Sequence, residues 1–156
     1  RSDKGGDMLH AMVFEPGGWG DATGTLSGIC VKNCVADSVL SPFCMTLQDE
    51  NHCTDVTIDA YRATNCRMAL SVKSWGSATT DKVTISNSAF SFIGIPEPGL
   101  GRKIASMPFD RWPCFPSYGA YFRNVTDVVL DDVTFSTIGP DDRDDIYTDN
   151  VSRLKR

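Results

Sequence analysis

Four segments of this chain share one phrase: "GICVKNCVA" from Gly28, "DVTIDAYRA" from Asp55, "KVTISNSAF" from Lys82 and "DVVLDDVTF" from Asp127. The last aliphatic residue of each opening run falls at Val31, Ile58, Ile85 and Leu130, in steps of 27, 27 and 45 residues. The third step is the same period with 18 residues added, so it reads as one more repeat carrying an insertion. A fixed period of this length marks a chain that winds, because each repeat must cover the apolar face of its neighbour. Within each segment apolar residues alternate with period two, as in a strand with one covered face. Ile29, Val56, Val83 and Val128 form one inward column, and Val31, Ile58, Ile85 and Leu130 form the next. Cys30, Thr57, Thr84 and Val129 lie between them and point out.

Two residues past the second column stand Asn33, Ala60, Asn87 and Asp132. Asn and Asp suit a one-residue turn there, since their side chains tolerate left-handed backbone and bond to nearby peptides. A further inward column follows at Ala36, Ala63, Phe90 and Phe135. A second set of short strands comes after each turn region: "CMTL" to Leu47, "MALSV" to Val72, "AYF" to Phe122 and "DIYT" to Thr148. The phrase Asn-Val-Thr at Asn124 returns as Asn-Val-Ser at Asn150, 26 residues on, and Leu154, 24 beyond Leu130, reads as the start of a fifth repeat. No Asn-Gly or Asp-Gly turn separates these strands, which argues against antiparallel hairpins and a sandwich. The expected fold is all-β, a right-handed parallel β-helix of about four to five coils with a long loop insertion. Its parts are an opening strand or cap segment (1–27), regular coils (28–94), the inserted loop (95–119) and the last coils (120–156), in a single domain or fragment.

A net charge of −5 argues against nucleic acid or an anionic membrane surface as partner. No apolar run approaches the roughly 20 residues that span a bilayer. The chain opens on Arg1 rather than Met, which leaves room for a targeting segment upstream. Six cysteines (Cys30, Cys34, Cys44, Cys53, Cys66 and Cys114) are an even set, which favours disulfides and a secreted or cell-surface location. Free cysteines stacked in a core are the alternative. No Cys-x-x-Cys occurs and His10 and His52 lack a paired ligand spacing, so neither a metal nor another cofactor is expected.

The stretch "IPEPG … FPSYGAYFRNVTDVVLDDVTFSTIGPDDRDDI" resembles the closing coils of bacterial glycoside hydrolases of the polygalacturonase-like family 28. The resemblance rests on a proline-rich insertion (Pro96 to Pro116), the pair Tyr118-Gly119, the basic Arg123, the strand Val128 to Phe135 and the turn Pro140-Asp141-Asp142-Arg143. Asp144 stands where that family has a second proline. It covers residues 95–154; over 28–94 only the rhythm is shared. It implies a pectin lyase-like β-helix acting on a polysaccharide. The family's Asn-Thr-Asp, Asp-Asp, Gly-His-Gly and Arg-Ile-Lys segments have no counterpart here. In "TNCRMALSVKSWG", the nearest echo of the acid-bearing coil, Asn65, Cys66 and Arg67 occupy the positions of Gly and the paired acids. Inverting hydrolysis needs two carboxyls roughly 6.5–9.5 Å apart. No catalytic residue carries over.

Other constellations have a functional and a plainer reading. Trp19, Trp75, Trp112, Tyr118 and Tyr121 lie in or beside loops, where aromatic faces can stack on sugar rings. In "FDRWPCFPSYG", Asp110 and Arg111 flank Trp112 and could bond hydroxyls; alternatively Phe109, Trp112 and Phe115 anchor the loop. Substrate contacts are therefore expected at Trp112, Asp110, Arg111, Tyr118 and Trp75. The acids of "DDRDDIYTD" (Asp141, Asp142, Asp144, Asp145 and Asp149) form either a calcium site or a surface turn balanced by Arg143, and the turn is preferred. Asp49, Glu50 and His52 form an acid-base cluster or an ordinary polar turn. Asn124 and Asn150 open glycosylation sequons that a turn-forming Asn explains equally well.

A solenoid needs covered ends. Met8, Leu9, Met12, Val13 and Phe14 can supply a strand or cap at one, while "RLKR" at the other offers no capping helix. Further coils of a precursor, or a stacked subunit, are thus expected partners beside a polysaccharide. Two function classes follow: a segment of an extracellular glycoside hydrolase whose acids lie elsewhere, or a non-catalytic structural, adhesive or filament-forming module.

Overall fold

The computed structural model describes residues 10–16, 23–106 and 115–156. The described chain is almost entirely β, with one short helix and a single curled sheet in which all the pairings between named strands are parallel. In chain order the strands are β1 (Val13–Phe14), β2 (Thr25–Leu26), β3 (Ile29–Lys32), β4 (Val35–Asp37), β5 (Cys44–Leu47), β6 (His52–Asp59) and β7 (Arg62–Cys66). They continue with β8 (Leu70–Ser74), β9 (Thr79–Phe92), helix α1 (Leu100–Ala105), β10 (Ser117–Thr137) and β11 (Asp144–Lys155).

The sheet is built on the sequence period. Ile29 pairs with Val56, Val56 with Val83 and Val83 with Val128; in the next column Val31, Ile58, Ile85 and Leu130 pair in the same order. All eight side chains are buried. The insertion is skipped by the pairing, so β9 and β10 lie side by side despite the 45-residue step from Ile85 to Leu130. A second run joins β1, β5, β8, β10 and β11, with Met45, Val72, Phe122 and Thr148 in one column. A third column runs Ala36, Ala63, Phe90 and Phe135, where the last two rings stack at 5.6 Å.

The long strands bend where the backbone turns left-handed. Asn33, Ala60, Asn87 and Asp132 have φ between 48° and 54°, and Asn124 and Asn150 reach 52° and 54°. Each bend swings the following segment to another wall of one apolar core. Full burial of a Val, Leu, Ile or Phe contributes about 1.5–3 kcal/mol, and Met45, Leu47, Ile58, Leu70, Ile85, Phe90 and Phe122 are all at or below 1% exposure. Tyr61 is also buried, its hydroxyl donating to the Pro42 carbonyl at 2.9 Å.

Several expectations need correction. Leu154 pairs with Val128, not with Leu130, so the last step is 26 residues. Strand pairing after the insertion begins at Ser117, and the insertion holds α1 rather than loop alone. Cys30, Cys34, Cys44, Cys53 and Cys66 are free, and there is no disulfide among the described residues. Three of the five are buried, and burial pushes the Cys53 thiol up and the Cys66 thiol up to about 12, as suits inert apolar side chains. Met12 and Phe14 pack on the core while Val13 is 46% exposed; Met8, Leu9, Trp19 and Cys114 lie outside the described residues.

Candidate functional site

Alternation along β8, β10 and β11 sends every second side chain away from the core. Opposite Lys73 on β8 stands Arg123 on β10, and opposite Arg123 stands Asp149 on β11. Two residues beyond Lys73, just past the end of β8, is Trp75. The Arg123 guanidinium lies 3.9 Å over the Trp75 ring and meets the Asp149 carboxylate at 3.0 Å. Arg123 is thus held on two sides by groups from two other repeats. The neighbouring outward column carries Ser71, Tyr121 and Tyr147, with the two tyrosine rings 5.6 Å apart.

Tyr121 belongs to a small second apolar cluster on this face, with Leu40, Met68, Ala69 and Phe115, and Tyr147 packs against it. Phe115 meets Tyr121 edge-on at 6.2 Å, and the Lys73 ammonium lies 5.3 Å from the Phe115 ring. Burial holds the Tyr121 phenol above its ordinary value, although Arg123 beside it acts in the opposite sense. His10, which bridges to Ser41, is lowered first by burial and then by Lys73, with Glu15 opposing. Among the described residues its buried Nδ1 has no hydrogen-bond partner, nor does Nε of Arg123. Tyr121 and Phe115 are buried beneath this face, so Trp75 and Tyr147 are the partly exposed rings of the strip, edged by two cations and a carboxylate, and those two rings are the ones that can meet a sugar.

Of the described residues expected to contact substrate, only Trp75 is in this strip. Tyr118 is half-buried on the opposite side of its strand; it packs against the main core and meets Phe92 edge-on at 6.3 Å. Burial, followed by Asp145 and Asp141, holds its phenol high. Asp110, Arg111 and Trp112 lie outside the described residues. Both sequon asparagines use their amide nitrogens: Asn150 donates to Asn124 Oδ1 at 2.7 Å, and Asn124 to the Ser74 carbonyl at 2.7 Å.

The acid-rich turn disperses among separate partners. Arg143 clasps Asp141 in a buried ion pair at 2.7 Å, Asp142 accepts from the Gly99 and Arg102 amides, and Asp145 pairs with Arg156. Among the described residues no three His, Cys, Asp or Glu side chains converge as a cage for a metal ion. His52 engages neither Asp49 nor Glu50; it bonds Thr79 and Asp81 across the sheet.

Sequence reading missed Lys73, Arg123, Tyr147 and Asp149 as one group. The signal was present: Arg123 is two residues after Tyr121, and the 26-residue step from Asn124 to Asn150 also carries Tyr121 to Tyr147 and Arg123 to Asp149. Compared with known proteins, the chain matches no family model, no curated protein and no solved structure.

Proposed function

We propose that this chain is a right-handed parallel β-helix segment of an extracellular carbohydrate-active protein, related to the polygalacturonase-like hydrolases, and that the outer face of β8, β10 and β11 holds a polysaccharide. The observation that carries the reading is the Trp75–Arg123–Asp149 group beside Tyr121 and Tyr147. Sugar rings present apolar C–H faces to aromatic rings and hydroxyls to charged edges. Arg123 covers one face of Trp75, and in this reading the partly exposed indole is the platform for a sugar ring. Asp110, Arg111 and Trp112 of the insertion are the contacts the loop adds in this reading, and Tyr118, which packs on the main core, is not among them. The parallel register at a 27-residue step supports the winding. The chain binds rather than cleaves: the acid pair of hydrolysis belongs to other coils of the parent protein.

The test is affinity electrophoresis and a glycan array on the purified chain with pectin, rhamnogalacturonan and xylan, alongside a reducing-end assay. Binding to at least one glycan is expected, with no reducing ends released. Trp75→Ala, with an unchanged circular dichroism spectrum, should weaken binding about tenfold, equivalent to roughly 1.4 kcal/mol of lost stacking. No binding to any glycan, or binding indifferent to Trp75→Ala, rejects the proposal. Glycan-independent self-association would favour the structural module instead, a reading supported by the Asn150–Asn124 ladder that leads to the exposed side of β11.

A further inference from the structure

His52 opens β6 and Thr79 opens β9, and the two are paired neighbours in the parallel sheet. Asp81 lies two residues beyond Thr79, on the same outward side of β9. The imidazole bridges them: Nδ1 stands 2.9 Å from Thr79 Oγ1, and Nε2 stands 3.1 Å from Asp81 Oδ2. The carboxylate can only accept, so its hydrogen bond places the ring hydrogen on Nε2. In the neutral ring Nδ1 then has only its lone pair, and the Thr79 hydroxyl must be the donor in the second bond. The order is hydroxyl, imidazole, carboxylate: a nucleophile held against a base that is itself oriented by a third group.

We infer that Thr79 is an activated hydroxyl that accepts an acyl group from small activated esters, with His52 as its base and Asp81 as the positioning residue. In the reaction Thr79 Oγ1 forms a bond to the acyl carbon while the ester C–O bond breaks. The hydroxyl proton passes to His52 Nδ1 and then to the departing alcohol oxygen. The products are acyl-threonine and the free alcohol, with no oxidant or reductant involved. Asp81 stabilises the imidazolium formed on the way and holds the productive tautomer. The arrangement is open to reagents: Thr79 and Asp81 are exposed and the His52 side chain is 34% exposed. It stands on β6 and β9 and shares no residue with the Trp75 group, so it does not depend on glycan binding.

The probe is p-nitrophenyl acetate at neutral pH on the whole 156-residue chain, read by peptide mapping of the acetylated residue over time. Acetylation at Thr79 is expected, faster than at Thr57 and Thr84, which face outward on the same two strands. His52→Ala should slow labelling of Thr79 at least tenfold, and Asp81→Asn should slow it severalfold with His52 still present. All three side chains reach solvent, and circular dichroism checks that each variant keeps its β signal. Two outcomes overturn the inference: an unlabelled Thr79 under conditions that acetylate lysines, or Thr79 labelling at an unchanged rate in His52→Ala.

Discussion

Ala60 has a backbone φ of 52° in a column whose other members are Asn33, Asn87 and Asp132. A β-carbon in left-handed backbone costs roughly 1–2 kcal/mol, which Asn and Asp partly offset by local hydrogen bonds. Asn87 does so through a 2.9 Å bond to Asp59 on the neighbouring strand, where Ser86 adds a second at 2.8 Å. Thr64 and Asn65 treat Asp37 in the same way, each at 2.6 Å. These donors hold both carboxyls below their usual range, Asn87 leading at Asp59 and Thr64 at Asp37. Ala60 has no side-chain group with which to do this. Ala60→Gly is therefore expected to raise stability by about 1 kcal/mol, read as a higher urea midpoint with an unchanged slope. A lower midpoint would mean that the methyl group, not the backbone, decides this turn. The turn column was legible from sequence because its residue types share one backbone tolerance. The donor pairs on Asp37 and Asp59 were not, because each joins residues 27 and 28 apart whose proximity depends on register.

At the scale of elements, one short turn tethers the insertion. Asp142 accepts from the amides of Gly99 and Arg102 at 3.1 and 3.0 Å, which fixes the start of α1. Next to it Arg143 binds Asp141 through Nε and Nη2 and reaches the Phe115 carbonyl with Nη1 at 3.2 Å. Gly94, at φ 81°, lets the departing chain press against this turn, since a β-carbon there would meet the Pro140 carbonyl oxygen at 2.8 Å. The two acids differ in surroundings and so in expected cost. Asp142→Ala removes a cap-like acceptor and should cost about 1 kcal/mol, while speeding tryptic cleavage at Arg102 and Lys103 in α1. Arg143→Ala strands the fully buried Asp141 carboxylate, and should cost about 3–5 kcal/mol in chemical denaturation. Equal losses in the two variants would contradict this division. Helix α1 was not legible because six residues are too few for a 3.6-residue period to declare itself. The dense acids suggested a shared site, but sequence adjacency says nothing about which way each carboxylate turns.

For the whole molecule, the informative feature is a parallel sheet whose strands alternate. Parallel sheets usually carry helices on both faces and read as continuous apolar runs. Here Thr57, Thr84 and Val129 face outward between buried neighbours, so only one face of the curled sheet is apolar. That is why the period, and not composition, revealed the architecture. Counting from Leu130 misplaced Leu154 because aliphatic residues recur every second position, whereas the turn asparagines do not. Asn124 and Asn150, joined by their side chains, set the 26-residue step and bring Leu154 beside Val128. The same stacking predicts a gradient of local stability. Strand β9 is hydrogen-bonded to β6 and β7 on one side and β10 on the other, while among the described residues β11 pairs only with β10. Leu154 accordingly remains 41% exposed, against none for Val83 and Ile85. Amide exchange should therefore be slowest in Val83–Ile85 of β9 and markedly faster in Val151–Leu154 of β11, since opening an edge strand exposes far less apolar surface. Equal protection in the two strands would show that β11 is covered in solution, and adding the Leu154→Asp variant would then reveal whether an apolar contact at that edge does the covering.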